Sequence, residues 1–82
     1  MATAPDIAKQ TAQAVSQAMV AANVGRKRLS DLTSISYGTL GRKLAGVTAF
    51  DIVDLYMIAR ALNVPPADFL PPAFQSAERV AS

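Results

Sequence analysis

Basic side chains are concentrated in one short segment of this sequence. Five of its eight lysines and arginines lie within 18 consecutive residues, namely Arg26, Lys27, Arg28, Arg42 and Lys43. With Asp31 as its single acid, this segment carries a net charge of +4, whereas the rest of the chain carries −2. Such a cluster is typical of a surface that binds the phosphates of a nucleic acid, and a solvated run of charge is the alternative.

The composition argues against several other kinds of site. The 82 residues contain no cysteine and no histidine, so disulfides, thiolate metal sites, catalytic triads and histidine acid–base pairs are ruled out. We therefore expect no enzyme activity, no cofactor, no metal and no small-molecule substrate. Neither a membrane-spanning run nor a signal peptide is visible in the sequence, which favours a cytoplasmic protein.

Apolar spacings of three and four, without strand-like alternation, predict an all-α, compact five-helix bundle. The expected helices cover roughly residues 5–23, Arg26 to Leu32 or Thr33, Tyr37–Leu44, a fourth helix ending near Leu62, and a short fifth, "PADFL", that begins at Pro66. The compact domain is placed at 1–72. A C-terminal tail at 73–82 has a composition compatible with disorder.

Three positions carry signals for helix ends. Ser36 is the expected N-cap of the third helix, and Gly46 the expected left-handed residue that closes it. The run "TAFD", Thr48 to Asp51, resembles a capping box that opens the fourth helix.

The same spacings predict which side chains are buried. The expected stripe of the first helix is Ile7, Thr11, Val15, Ala18, Met19 and Ala22. Leu29 and Leu32 form the inward pair of the second helix, and Ile35 is expected to plug the core. The expected buried face of the fourth helix is Ile52, Leu55, Tyr56, Ile58, Ala59 and Leu62, with Asp51, Asp54 and Arg60 outside; Phe69 and Leu70 return to the core.

Two short helices joined by a tight turn form a helix-turn-helix, whose second helix can enter the major groove of DNA. The stretches "RKRLSDLTSISYGTLGRKLAG" and "IARALNVPPADFL" have this pattern, and the chain over about residues 9–70 resembles the phage repressor and Cro type (XRE-like) of helix-turn-helix domain. The positions that correspond to the family pattern are Leu29, Ser30, Ser34, Ile35, Ser36, Gly46, Ala59, Leu62, Val64, Asp68, Phe69 and Leu70. The chain departs from the family at Ser30, where Ala is usual, at Ser34, where the turn has glycine, and at Lys43, a position that is often apolar.

The resemblance implies a lambda-repressor-like fold in which Tyr37–Leu44 is the recognition helix. At about 100° per residue, Leu40 and Leu44 face the core and Arg42 lies opposite them. The candidates for base contacts are Tyr37, Gly38, Thr39 and Arg42, and those for phosphate contacts are Arg26, Lys27, Arg28, Ser36 and Lys43. Arg42 suits guanine O6 and N7, whereas Tyr37 projects near Leu44 and has burial in the core as its alternative.

Together these features predict a sequence-specific transcriptional regulator that binds double-stranded DNA, of phage or prophage repressor or Cro-like type, in the cytoplasm of a bacterial host. A homodimer on DNA is a possible assembly, since such domains usually gain affinity by pairing on two half-sites. The alternatives are an antitoxin-type helix-turn-helix protein and a protein-interaction module that does not bind DNA. Salt-dependent binding to random duplex separates the last of these from the others.

Overall fold

The computed structural model describes residues 4–70, which form four α-helices followed by a 3-10 helix. The helices are α1 (Ala4–Ala22), α2 (Arg26–Thr33), α3 (Tyr37–Leu44) and α4 (Ile52–Leu62), and the 3-10 helix covers Pro66–Phe69. No strand occurs within this range, so the all-α prediction is confirmed. The predicted fifth helix is a single 3-10 turn instead, and the predicted tail at 73–82 lies outside the described residues.

Every element contributes at least one large, fully buried side chain to a common core. These side chains are Val15, Leu29, Leu40, Ile58 and Phe69, each with no exposed surface. Burial of a large apolar side chain stabilises a fold by roughly 1.5–3 kcal/mol, so all five elements are bound to one another through this centre. Ile35 is 7% exposed and joins the same cluster, which confirms that it fills the gap between α2 and α3.

A left-handed residue lies at the end of each of the four helices, and that of α2 is Ser34, with φ of 66°. Asn23 ends α1 with φ of 57°, and Asn63 ends α4 with φ of 58°. Gly46, with φ of 78°, follows α3 as predicted. A side chain at Gly46 would approach the aliphatic stem of Lys9 on α1, with Cγ 2.9 Å from an added Cβ. Glycine at this position therefore serves both the backbone conformation and the close approach of α1.

The buried stripes of α1 and α2 differ from the prediction at one residue each. Leu32 is 46% exposed, and Thr33 is buried in its place because it lies about 40° from Leu29 around the helix, nearer than Leu32. The Thr33 hydroxyl donates to the Leu29 carbonyl at 2.8 Å, which satisfies the buried polar group. On α1, Ala22 is exposed and Ala12 is buried instead.

On α4 the prediction of a single broad buried face is wrong. Ile58, Ala59 and Leu62 are buried, and Leu55 is half-buried. Ile52 and Tyr56, also predicted to be buried, are 83% and 53% exposed. The apolar residues of α4 cover more of the circumference than this small core can accept, so two of them face outward.

The polar residues at the start of α4 also differ from the prediction. Asp51, not Thr48, is the N-cap, and the capping box joins Asp51 to Asp54. The Asp54 amide donates to Asp51 Oδ1 at 2.8 Å, and the Asp51 amide donates to Asp54 Oδ2 at 3.1 Å. Asp54 is therefore buried, at 7% exposure, rather than outside as predicted. Asp51 and Arg60 are exposed, as expected.

Candidate nucleic-acid interface

A turn of three residues, Ser34 to Ser36, joins α2 to α3. Ser34 adopts the left-handed conformation, with φ of 66° and ψ of 10°, in the place where the family pattern has glycine. The Ser30 hydroxyl reaches across the turn and donates to the Ile35 carbonyl at 2.6 Å. Both serines that depart from the family pattern therefore belong to the turn geometry, and the hydrogen bond from Ser30 helps to fix the angle between α2 and α3.

The first turn of α3 is capped by a side chain. Ser36 has an extended backbone, and its hydroxyl accepts a hydrogen bond from the Thr39 amide at 3.3 Å. The predicted N-cap is thus confirmed. An N-cap of this kind typically contributes about 1 kcal/mol to helix stability, which matters for an eight-residue helix that contains Gly38 and Gly41.

The outward surface of α3 consists of small and polar groups. Gly38, Thr39 and Arg42 are exposed, whereas Leu40 is fully buried and Leu44 is half-buried. Within residues 4–70, Arg42 makes no ion pair with another side chain. We call this outward surface, made by Gly38, Thr39 and Arg42, the α3 face.

Three basic residues stand at the start of α2. The N-cap is Gly25, which supplies no side-chain acceptor, and Arg26, Lys27 and Arg28 are all exposed. Lys27 forms an exposed i,i+4 pair with Asp31 at 3.3 Å, and Arg28 has no ion-pair partner in the described part of the chain. Positive side chains at a helix N-terminus oppose the helix dipole, so this arrangement is better suited to an external anion than to the stability of α2.

Arg26 packs against the recognition helix rather than extending into solvent. Its Cζ lies 3.6 Å from the centroid of the Tyr37 ring, and Tyr37 is 47% exposed, not buried in the core. The guanidinium also lies above Gly41: a Cβ added to Gly41 would be 3.1 Å from Arg26 Cζ and closer still to Nη1. The sequence analysis missed this contact. The sequence signal for this contact is an arginine at the start of one helix, Arg26, followed on the next helix by a tyrosine and a glycine one turn apart, Tyr37 and Gly41.

Lys43 has a partner inside the fold. Its Nζ donates to Asp54 Oδ2, and the two side chains are only 12% and 10% exposed. This pair links the last turn of α3 to the first turn of α4. Where the family pattern is often apolar, this chain places a lysine whose charge is matched by a carboxylate on the neighbouring helix.

The described range has neither a metal-binding cluster nor a membrane-spanning helix. Over residues 4–70, no three acidic, histidine or cysteine side chains are grouped so that they could hold a metal ion. In the same stretch, no helix combines the length and the apolar character needed to cross a bilayer.

Comparison with known proteins identifies the domain. A search among curated proteins found no significant match. The family model described as Cro/C1-type HTH DNA-binding domain matches residues 14–72, which include α2, the turn and α3. This match covers more than half of the 82 residues, and it includes the whole basic segment. The chain therefore belongs to the Cro/C1-type helix-turn-helix DNA-binding family.

Proposed function

We propose that this protein is a sequence-specific transcriptional regulator of the repressor or Cro type that places α3 in the major groove of double-stranded DNA. Family membership supports DNA binding and regulation. The observation that carries the finer proposal is the α3 face, where unpaired Arg42 stands beside Gly38 and Thr39 on the outward side of the helix. An α-helix fits the major groove, and arginine there pairs with guanine through two hydrogen bonds.

The division of roles between the helices follows from where the charges lie. Arg42 and Thr39 are assigned to base edges, and Gly38 lets the α3 backbone come near the groove. Tyr37 remains a candidate for a contact to a base through its hydroxyl. Arg26, Lys27 and Arg28 at the start of α2 are assigned to phosphates, together with Ser36 at the start of α3. Base contacts carry sequence information, whereas phosphate contacts fix register and supply affinity.

The test compares two arginine variants on two kinds of DNA. A preferred site is first selected from a random duplex library, and binding is then measured on this site and on a scrambled duplex at several salt concentrations. Arg42→Ala should weaken binding to the selected site by about 1–3 kcal/mol and relax the preference at one base pair. Arg28→Ala should weaken both duplexes alike and reduce the salt slope by about 0.9.

Other outcomes of this measurement would favour the alternatives. Equal loss on both duplexes for Arg42→Ala, with the base preference intact, would show that the α3 face does not read sequence. Absence of salt-dependent binding to any duplex would favour a protein-interaction module. An antitoxin-type protein would bind DNA in the same way, and a co-purified toxin partner would distinguish it from a repressor.

We further propose that the protein binds DNA as a homodimer, on the basis of an exposed apolar surface. A groove of about 340 Å³ beside α4 is lined by Ile52, Leu55, Tyr56, Pro66, Ala67 and Leu70. Exposed apolar surface that is grouped rather than scattered marks interaction sites. At its edge, Arg60 donates to the Tyr56 hydroxyl at 3.1 Å, and this hydrogen bond raises the pKa of the guanidinium, which stays charged.

Sedimentation of two glutamate variants tests the dimer. Ile52→Glu places a charge in the groove and should shift the protein to monomer at concentrations where the parent chain is dimeric. Val20→Glu, at an equally exposed position on α1, is the matched control and should leave the assembly unchanged. A monomeric parent chain both free and on DNA would remove the proposal.

A further inference from the structure

We propose that Gly41 is a positioning residue for DNA binding, because the absence of its side chain creates a seat on α3 for the guanidinium of Arg26. This inference rests on the proposed function and deepens it. The seat consists of the Tyr37 ring and the bare backbone at Gly41, and it holds a basic side chain of α2 on the surface of the recognition helix.

Two contacts of the Arg26 guanidinium define the seat. The first is the stack, with Arg26 Cζ 3.6 Å from the Tyr37 ring centroid. The second is the space above Gly41, where an added Cβ would lie 3.1 Å from Cζ and in collision with Nη1. Gly38, on the same helix, has nothing within 4 Å of an added Cβ. The close approach is therefore specific to Gly41 and is not a general property of glycines in α3.

The seat matters because a free arginine side chain is flexible. An arginine side chain that moves freely in solvent loses rotamer freedom when it binds a phosphate, whereas a side chain that is already held in place loses less. Stacking uses the flat face of the guanidinium, so N–H groups at its rim stay available for phosphate oxygens. Arg26 is thus presented to DNA together with α3, and one face of the Tyr37 ring is covered and unavailable for stacking on a base.

Gly41→Ala separates this role from a local structural one. Alanine is the better helix former, so the variant should melt at the same temperature as the parent or higher, because a surface side chain is displaced and the core is untouched. Displaced from its seat, Arg26 should contribute less to binding. We expect the salt slope on random duplex to fall by up to about 0.9, which corresponds to about 8-fold weaker binding near 0.1 M salt.

The double variant Arg26→Ala/Gly41→Ala identifies the cause. If Gly41 acts through Arg26, the double variant should bind random duplex no more weakly than Arg26→Ala alone. If the alanine methyl instead clashes directly with DNA, the two losses should add. Gly38→Ala provides the stability control, since it makes the same change in helix propensity with no neighbour to displace.

The outcomes for the inference and for the proposed function are distinct. A parent chain that fails to bind duplex in a salt-dependent way would overturn both. Salt-dependent binding by the parent, with an unchanged slope for Gly41→Ala, would overturn the role of Gly41 alone. Additive losses in the double variant, or a large drop in the melting temperature of Gly41→Ala, would also overturn it.

Discussion

The two ends of the recognition helix are each contacted by a basic side chain, and the two contacts differ in burial. At the first turn, Arg26 stacks on Tyr37, whose side chain is about half exposed. At the last turn, Lys43 pairs with Asp54 where both side chains retain little exposure. A charge in water is available to a partner, whereas a charge in a buried pair is neutralised by its neighbour. The comparison shows that the place of a basic residue in the sequence pattern does not by itself decide whether its charge is available to an external partner.

This difference changes the assignment made from the sequence for Lys43. From the sequence, a lysine beside Arg42 is expected to lie on the flank of α3 and to contact phosphate. The structure gives its ammonium a carboxylate partner instead, and the carboxylate also accepts the Asp51 amide. We therefore propose that Lys43 links α3 to α4 through Asp54 rather than contacting a phosphate.

The largest expected effect is on stability, at the buried end of α3. Asp54→Asn keeps the shape and an acceptor for the Asp51 amide but leaves the Lys43 ammonium without its counter-charge. The loss of one partner of a buried pair costs about 3–5 kcal/mol, measured as the free energy of unfolding in urea. Asp31→Asn is the matched control in the exposed pair with Lys27 and should cost less than about 0.5 kcal/mol. Equal costs for the two variants would show that the pair at Asp54 is no different from a surface pair.

The next effect concerns the salt dependence of DNA binding. Lys43→Met should leave the salt slope on random duplex unchanged, because its ammonium is not available to a phosphate. Arg28→Ala, at an unpaired position, should lower the slope by about 0.9. Binding of both variants must be measured at a temperature where the circular dichroism of each shows a folded protein. A slope that falls equally for Lys43→Met would restore Lys43 to the phosphate-binding group.

The smallest effect is on stability at the exposed end. An exposed cation–π contact contributes about 0.5–1 kcal/mol, and loss of Arg26 also removes a charge that opposes the dipole of α2. Arg26→Ala should therefore change the free energy of unfolding by less than about 1 kcal/mol while it weakens DNA binding. A loss of stability comparable with that of Asp54→Asn would mean that the Arg26 stack is structural rather than a contact poised for DNA.

Features set by neighbouring residues were predicted well from the sequence. The ends of α2 and α3, the Ser36 cap and the left-handed Gly46 agree with the structure, because each depends on a few adjacent residues. Ser34, which stands where the family pattern has glycine, adopts the left-handed conformation that glycine would favour. The exposed α3 face follows from helix geometry once Leu40 is buried. These are local consequences of residue type and of the helical period.

Features set by tertiary contacts were not predictable in this way. α4 is apolar on more than one side, so the helical periodicity of its apolar residues could not show that Ile52 and Tyr56 face outward. Two overlapping patterns, "TAFD" and "DIVD", both fit a capping box, and the structure has the second, from Asp51 to Asp54. Asp54 and Lys43 lie 11 residues apart on different helices, and only their approach in the fold gives either charge a buried partner.

The brevity of α3 limits how its sequence preference could be transferred to another protein. Eight residues with two glycines are too few to form a stable helix alone, because helices shorter than about 12–15 residues are marginal in water. The orientation of α3 depends on its contacts with α1 and α2 and on the ion pair between Lys43 and Asp54 of α4. A chimera that receives only residues 37–44 would lack Arg26 and Asp54. The grafted helix would then keep its own side chains but lose the contacts that orient them. Transfer of the proposed DNA-reading surface to another protein would therefore require α1, α2 and α4 together with α3.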